Sequence, residues 1–155
     1  MNNIRPNIVK FETTEQKIIP SENLYNICFQ YLIPQYFNGD SGTKYNGGLR
    51  KIKTIFKEKY SYKTTKTNQN GYIRIRFIVN CDGKIGRFSL MELDENYLPF
   101  SFDSKIVSSI FNITTTELKN DWTPGTFGQN DSTTIDNYKY LTFKIKEGKI
   151  TDILP

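Results

Sequence analysis

The sequence contains neither histidine nor alanine among its 155 residues. The absence of histidine excludes Ser-His-Asp and Cys-His catalysis and removes the commonest imidazole metal ligand. The absence of alanine accompanies an abundance of Ile, Lys, Asn and Thr, whose codons are AT-rich, and it lowers helix propensity along the chain. We interpret the missing alanine as a signature of genome composition and assign it no function.

Long apolar stretches are also missing. No run of hydrophobic residues is longer than three, whereas a membrane-spanning helix needs about 20 of them. The sequence therefore predicts no membrane span. Residues 1–20 also lack the apolar stretch of about 7–15 residues that a secretory signal requires. We expect a protein made without such a signal, or a mature or trimmed form of one.

Cysteine is scarce, with only Cys28 and Cys81 present. Neither belongs to a CxxC pair, which argues against a structural zinc site. Two interpretations remain open for these residues. They form a disulfide in an oxidising compartment, or Cys28 is a small core residue and Cys81 lies beside a turn. We predict no metal site and no cofactor.

Residues 1–44 differ from the rest and are predicted to form an N-terminal extension docked on a domain that spans residues 45–155. Ile8, Val9 and Phe11 favour a short strand. Ser21 is suited to cap a helix. The helix would carry one apolar face, formed by Leu24, Ile27, Cys28, Tyr31 and Leu32.

The domain itself reads as an α/β (α+β) two-layer fold, with two helices packed on one face of an antiparallel sheet of three to four strands. Apolar spacing predicts helices over residues 49–60 and from Asp103 onwards, with a weak end at residues 114–116. Residues 127–137 are predicted to be a loop. A strand is expected at residues 138–146, and a weaker one at residues 149–153 that would fold back on it.

The clearest signal is a hairpin that begins with the alternating segment at residues 72–79. Asp82 and Gly83 favour a two-residue type I′ turn, in which both central residues have positive φ. Counting from this turn places Val79 opposite Gly86 and Phe77 opposite Phe88. Further along, Ile75 meets Leu90, Arg76 meets Ser89 and Arg74 meets Met91.

Charge is unevenly distributed along this chain of net charge +5. Residues 44–76 hold ten Lys or Arg and one acid, whereas residues 92–136 hold eight acids and two lysines. The basic segment is either a solvated helix face or a surface for an acidic partner. Its candidate residues are Arg50, Lys51, Lys53, Lys57, Arg74 and Arg76. Because Phe77 and Phe88 are assigned to the apolar face, no aromatic platform for nucleic acid is predicted.

No set of acids or nucleophiles reads as a catalytic centre. Glu92, Asp94 and Glu95 could form a metal cluster or an acid–base pair, but a solvated strand end is the favoured interpretation. Trp122 is interpreted as a core or helix-end anchor. We predict no catalytic residues and a protein that is not an enzyme.

Several segments, taken in order, resemble the C-terminal domain of TonB-type energy transducers. They are YNGG at residues 45–48, GYIRIRFIVNCDG at residues 71–83, the helix opened by Phe102 and Asp103, WTPG at residues 122–125 and YLTFKIK at residues 140–146. The resemblance covers residues 45–155. It implies a periplasmic or cell-envelope protein that binds an extended segment of an outer-membrane transporter, or another envelope protein, by strand addition.

The resemblance also places the receiving edge at the strand of residues 138–146. The side chains that would flank a guest strand there are Tyr138, Tyr140, Thr142, Lys144 and Lys146. If residues 149–153 fold back as a fourth strand, the binding site moves to the far side of that strand or is lost. The alternative function is a structural or accessory periplasmic or lipid-anchored protein, whose basic face binds lipid, polysaccharide or an acidic partner. Partner identity and oligomeric state are left open.

Overall fold

A computed structural model describes residues 25–29, 33–34, 42–61, 63–128 and 130–155. The secondary structure runs β1 (Lys44–Tyr45), α1 (Gly48–Lys59), β2 (Gly71–Val79), β3 (Ile85–Leu93), α2 (Ser104–Glu117), β4 (Trp122–Thr123), β5 (Gly125–Gly128), β6 (Asp131–Ile135), β7 (Asn137–Lys146) and β8 (Lys149–Leu154). The main sheet is antiparallel, with strand order β3-β2-β7-β8. β1 pairs with β4, and β5 pairs with β6.

Both helices cover the same face of this sheet, which confirms the predicted two-layer α+β architecture. The alternating residues of β2 that were assigned to the core, including Ile73, Ile75 and Phe77, are fully buried. From α1, the ring of Phe56 lies 4.7 Å from that of Phe143 on β7. α2 contributes Ile106 and Ile110 to the same cluster. The opposite face of the sheet carries no helix within the described part of the chain.

The hairpin of β2 and β3 is confirmed, but the prediction of its turn is wrong. Gly83 has a φ of 76°, whereas Asp82 has no positive φ, so the turn is not type I′. The amide of Gly83 donates to the carbonyl of Asn80, and the amide of Asn80 to the carbonyl of Lys84.

This longer turn shifts the pairing close to it by one residue. Val79 is opposite Ile85, instead of the predicted Gly86. A bulge between Arg76 and Ile78 removes the shift, and from Arg76 outward the pairing follows the predicted register. The core residues therefore reach the expected face in spite of the different turn.

The last two strands form a hairpin with the turn type that was expected for the first one. Glu147 and Gly148 have φ of 49° and 73°, which is the type I′ pattern. β8 pairs with β7 from Thr142 to Lys146. The predicted fold-back of residues 149–153 is confirmed, and β7 is consequently an inner strand.

α2 begins where the sequence predicts and continues through its threonines. The carboxylate of Asp103 caps it by accepting the amide of Lys105 at 3.1 Å. The hydroxyl of Thr114 donates to the carbonyl of Ile110, one turn earlier, at 2.9 Å. This internal bond satisfies a buried hydroxyl, so the weak end expected at residues 114–116 does not break the helix.

Two other predictions are wrong in the described residues. The expected loop at residues 127–137 contains the β5–β6 pair and the start of β7. Glu92 does not lie at a solvated strand end, because it is buried and its carboxylate accepts the amide of Phe102 at 2.7 Å. Trp122 is a core anchor as expected, since its indole N–H donates to the carbonyl of Leu118 at 2.6 Å. No helix in the described residues is long and apolar enough to cross a membrane.

The described part of the extension is held by the turn of the first hairpin. Residues 25–29 are not helical, which contradicts the helix predicted there; its remainder and the strand at residues 8–11 lie outside the described residues. Cys28 and Cys81 form a disulfide. The buried carboxylate of Asp136 accepts the amides of Cys28, Phe29 and Cys81 at 2.8, 2.7 and 3.1 Å. This carboxylate therefore joins the extension to the hairpin turn and to the start of β7.

Candidate functional site

The main sheet has two edge strands, β3 and β8, and the outer side of β8 is the edge beside the C-terminal hairpin. β8 is the terminal strand in the order β3-β2-β7-β8, and no described strand pairs with its outer side. An edge strand presents main-chain N–H and C=O groups to which another strand can bond. The structure thus offers a template for strand addition at the C-terminal end of the chain.

A groove of about 550 Å³ runs beside this edge, between α1 and β8. Phe56, Tyr60, Ile150 and Ile153 contribute its apolar surface. The hydroxyl of Tyr60 donates to the carbonyl of Gly148 at 2.6 Å, which ties the end of α1 to the β7–β8 turn. The helix and the strand are therefore fixed relative to each other at one end of the groove.

The rim of the groove is basic. Its described lining residues include Lys53, Lys57, Lys63 and Lys149 and one acid, Asp152. The amine of Lys53 lies 2.9 Å from the carboxylate of Asp152. The hydrogen bond from Lys53, followed by the one from the amide of Ile153, lowers the pKa of Asp152 below its usual range. The other three lysines form no ion pair with a described residue, so the rim carries an excess of positive charge.

The sequence-predicted partner residues do not lie at this edge. β7 pairs with β2 from Asn137 to Ile145, and its other side is taken by β8 from Thr142 to Lys146 and, at Tyr138, by a main-chain bond to Pro34. Strand addition to β7 from Thr142 to Lys146 would therefore require that β8 is displaced. Of the five predicted side chains, those of Lys144 and Lys146 are exposed, whereas Thr142 is buried. They belong to the strand next to the edge.

The predicted basic face is divided between two sides of the sheet. Arg50, Lys51, Lys53 and Lys57 belong to α1, on the helix-covered side. Arg74 and Arg76 alternate with the core residues of β2 and lie on the opposite side. The six residues therefore do not form one surface, because an alternating strand and a helix packed on its apolar face point their charges in opposite directions.

Sequence reasoning missed several groove residues, namely Tyr60, Lys63, Lys149 and Ile150. The weak signal for a strand at residues 149–153 was the only indication of this site. No protein-family model, no curated protein and no solved structure matches the chain.

Proposed function

We propose that this chain is a non-enzymatic protein-binding module of the bacterial cell envelope, which captures an extended acidic segment of a partner by strand addition to β8. The observation that carries the proposal is the unpaired edge of β8 beside an apolar groove with a basic rim. Main-chain bonds to the edge provide affinity, and the groove and its lysines select alternate side chains of the guest.

The groove has the chemistry for such a guest. Its apolar floor suits one row of side chains of an extended peptide, since alternate residues of a strand point the same way. Lys57, Lys63 and Lys149 lack ionic partners among the described residues and suit acids that flank those side chains. A segment of an outer-membrane transporter, as in the TonB-type resemblance, is the partner that we propose.

The disulfide supports a location in the envelope. Disulfides persist in oxidising compartments such as the bacterial periplasm and are rare in the cytosol. The cross-link between Cys28 and Cys81 also leaves no thiol among the described residues. A cysteine nucleophile is therefore absent from the described residues in this form of the chain, and catalysis would have to depend on carboxylates.

The test is a titration with an acidic nine-residue peptide from a candidate transporter, followed by NMR and calorimetry. Two modified versions of the peptide are compared. One set carries N-methyl groups on its odd-numbered residues, and the other set carries them on its even-numbered residues. Strand addition predicts that one set binds at least tenfold more weakly and that the other binds normally, because only alternate amides of a guest face the edge. Amide shifts should concentrate on β8 and on the groove side of α1.

Two protein variants sharpen the result. Lys149→Gln at the rim should weaken binding several-fold, whereas Lys119→Gln, an exposed lysine beyond α2, should leave it unchanged. If both N-methyl sets bind alike and affinity disappears at high salt, the contact is a charge-driven one, and strand addition is wrong.

A further inference from the structure

The face of the sheet opposite the helices contains a small pocket centred on two arginines. It measures about 120 Å³ and is lined by Arg74, Arg76, Ser89, Leu90, Met91 and Tyr140. We refer to it as the arginine pocket. Arg74 and Arg76 stand two positions apart on β2, about 7 Å along the strand, and point to the same side. Among the described residues, no carboxylate lines the pocket.

The two guanidinium groups have unused hydrogen-bonding capacity. The Nε atom of Arg76 is buried and has no hydrogen-bond partner among the described residues. Neither arginine forms an ion pair in the described part of the chain. A buried donor without a partner costs free energy, and two neighbouring cations repel each other. An anion in the pocket would relieve both costs.

Neighbouring side chains hold both arginines in place. The Nε atom of Arg74 donates to the hydroxyl of Thr142 at 3.1 Å. The guanidinium of Arg76 lies over the ring of Tyr138, 5.1 Å from its centre. A planar fork fixed in this way loses little side-chain entropy when it binds an oxyanion. The hydroxyl of Ser89 supplies one more donor beside the pair.

The size and charge of the arginine pocket indicate the bound group. Pockets that enclose a whole small molecule measure about 300–1,000 Å³, so about 120 Å³ accommodates one charged group. Two guanidinium groups without a counter-charge match a doubly charged oxyanion better than a single carboxylate. Arginine forks are suited to phosphate oxygens in particular.

An aromatic surface adjoins the pocket along the same strand. Tyr72 lies two positions before Arg74 and stacks on Tyr97, with ring centres 5.0 Å apart and planes inclined by 12°. Tyr97 is 66% exposed. Rings of this kind offer flat apolar area at low entropic cost, together with a hydroxyl, which suits the alternating apolar and polar edges of a sugar ring.

We propose that the face of the sheet opposite the helices binds a phosphorylated sugar, with its phosphate in the arginine pocket and its ring beside Tyr72 and Tyr97. The site lies on the opposite side of the sheet from the groove at β8, so it is independent of the proposed function. A guest strand at β8 and a phosphorylated sugar in the arginine pocket are therefore expected to bind one protein molecule at the same time, without competing.

The experiment compares glucose 6-phosphate, glucose and inorganic phosphate at constant ionic strength, by calorimetry and by amide shifts in NMR spectra. Glucose 6-phosphate should bind saturably and shift the amides of residues 72–76, 89–91 and 97. Glucose and inorganic phosphate should each bind at least tenfold more weakly. Arg74→Gln should weaken glucose 6-phosphate binding about tenfold or more, since charged hydrogen bonds to the phosphate are lost.

Further variants distinguish the effect of the guanidinium fork from the effect of positive charge in general and from a loss of folding. Arg76→Lys keeps the charge but loses the fork and should also weaken binding, whereas Lys119→Gln should not. Arg74 is exposed, so Arg74→Gln remains informative if a variant of the more buried Arg76 does not fold. Equal binding of inorganic phosphate, preferential binding to phosphatidic acid vesicles, or shifts confined to α1 would each overturn the proposal.

Discussion

Two glycines with almost the same backbone conformation have very different surroundings. Gly42 has a φ of 75°, and a Cβ added there would meet no atom of the described residues within 4 Å. Gly83 has a φ of 76°, and its Cβ would lie 2.6 Å from the carbonyl oxygen of Trp122. The pair therefore separates the cost of a left-handed backbone from the cost of a steric clash.

We expect Gly42→Ala to lower the free energy of unfolding by about 1 kcal/mol, the usual cost of a side chain in the left-handed region. Gly83→Ala should cost about 2 kcal/mol more, because the clash is with main chain that a rotamer change cannot relieve. Urea denaturation of both variants checks this. Equal losses would mean that the turn can move away from Trp122.

Tyr25 connects the pH dependence of stability to the docking of the extension. Its hydroxyl donates to the carbonyl of Ile78 at 3.1 Å. Burial, and secondarily the Asp136 carboxylate, raise the pKa of Tyr25 well above its ordinary value. An ionised Tyr25 is therefore disfavoured in the folded state.

The raised pKa of Tyr25 predicts that the stability of the folded state falls at alkaline pH. Above a pH of about 10 the unfolded chain loses this proton and the folded chain retains it, so the contribution of Tyr25 to stability is lost as pH rises further. Thermal unfolding of the wild type and of Tyr25→Phe should differ by a constant amount below about pH 9. The wild type should then lose more stability than the variant towards pH 11, and a difference independent of pH would contradict the prediction.

The sheet and the β5–β6 hairpin contribute unequally to the core. Phe77 on β2 is fully buried, and its ring lies 5.8 Å from that of Phe88 and 5.2 Å from that of Trp122. Phe127 on β5 is 45% exposed and touches the ring of Phe29 at 5.5 Å. Phe77→Ala should therefore cost about 3–5 kcal/mol, and Phe127→Ala less than about 1 kcal/mol. Chemical denaturation measures both, and similar losses would place the β5–β6 hairpin in the cooperative core.

At the scale of the whole molecule, a disulfide cross-links the extension to the first hairpin. Cys28 and Cys81 are 53 positions apart, and closing a loop of that length stabilises the native state by up to about 4 kcal/mol through the entropy of the unfolded chain. Reduction should lower the melting temperature substantially while the fold remains. The double variant Cys28→Ser, Cys81→Ser should melt at the lower temperature and be insensitive to reductant. An unchanged melting temperature on reduction would mean that non-covalent contacts, such as those of Asp136 and Tyr25, are sufficient to anchor the extension.

Local pattern was sufficient to predict the two helices, the strands β2, β3, β7 and β8, and the core residues on β2. These features depend on the spacing of apolar residues along short segments, which follows from the geometry of a helix or a strand. The resulting α+β class was therefore predictable. The helix predicted after Ser21 shows the limit of this reasoning. Within it, the backbone amides of Cys28 and Phe29 bond to Asp136, and Cys28 is cross-linked to Cys81, and both partners are distant in sequence.

The candidate site depended on contacts that no local pattern contains. The fold-back of β8 made β7 an inner strand and moved the free edge, and packing of α1 beside β8 created the groove. Packing also placed the lysines of α1 and the arginines of β2 on opposite sides of the sheet. The turn at Gly83 also lies against the carbonyl oxygen of Trp122, which belongs to a remote strand. These features depend on the free energy of long-range packing, so they follow from the tertiary structure and not from the local sequence.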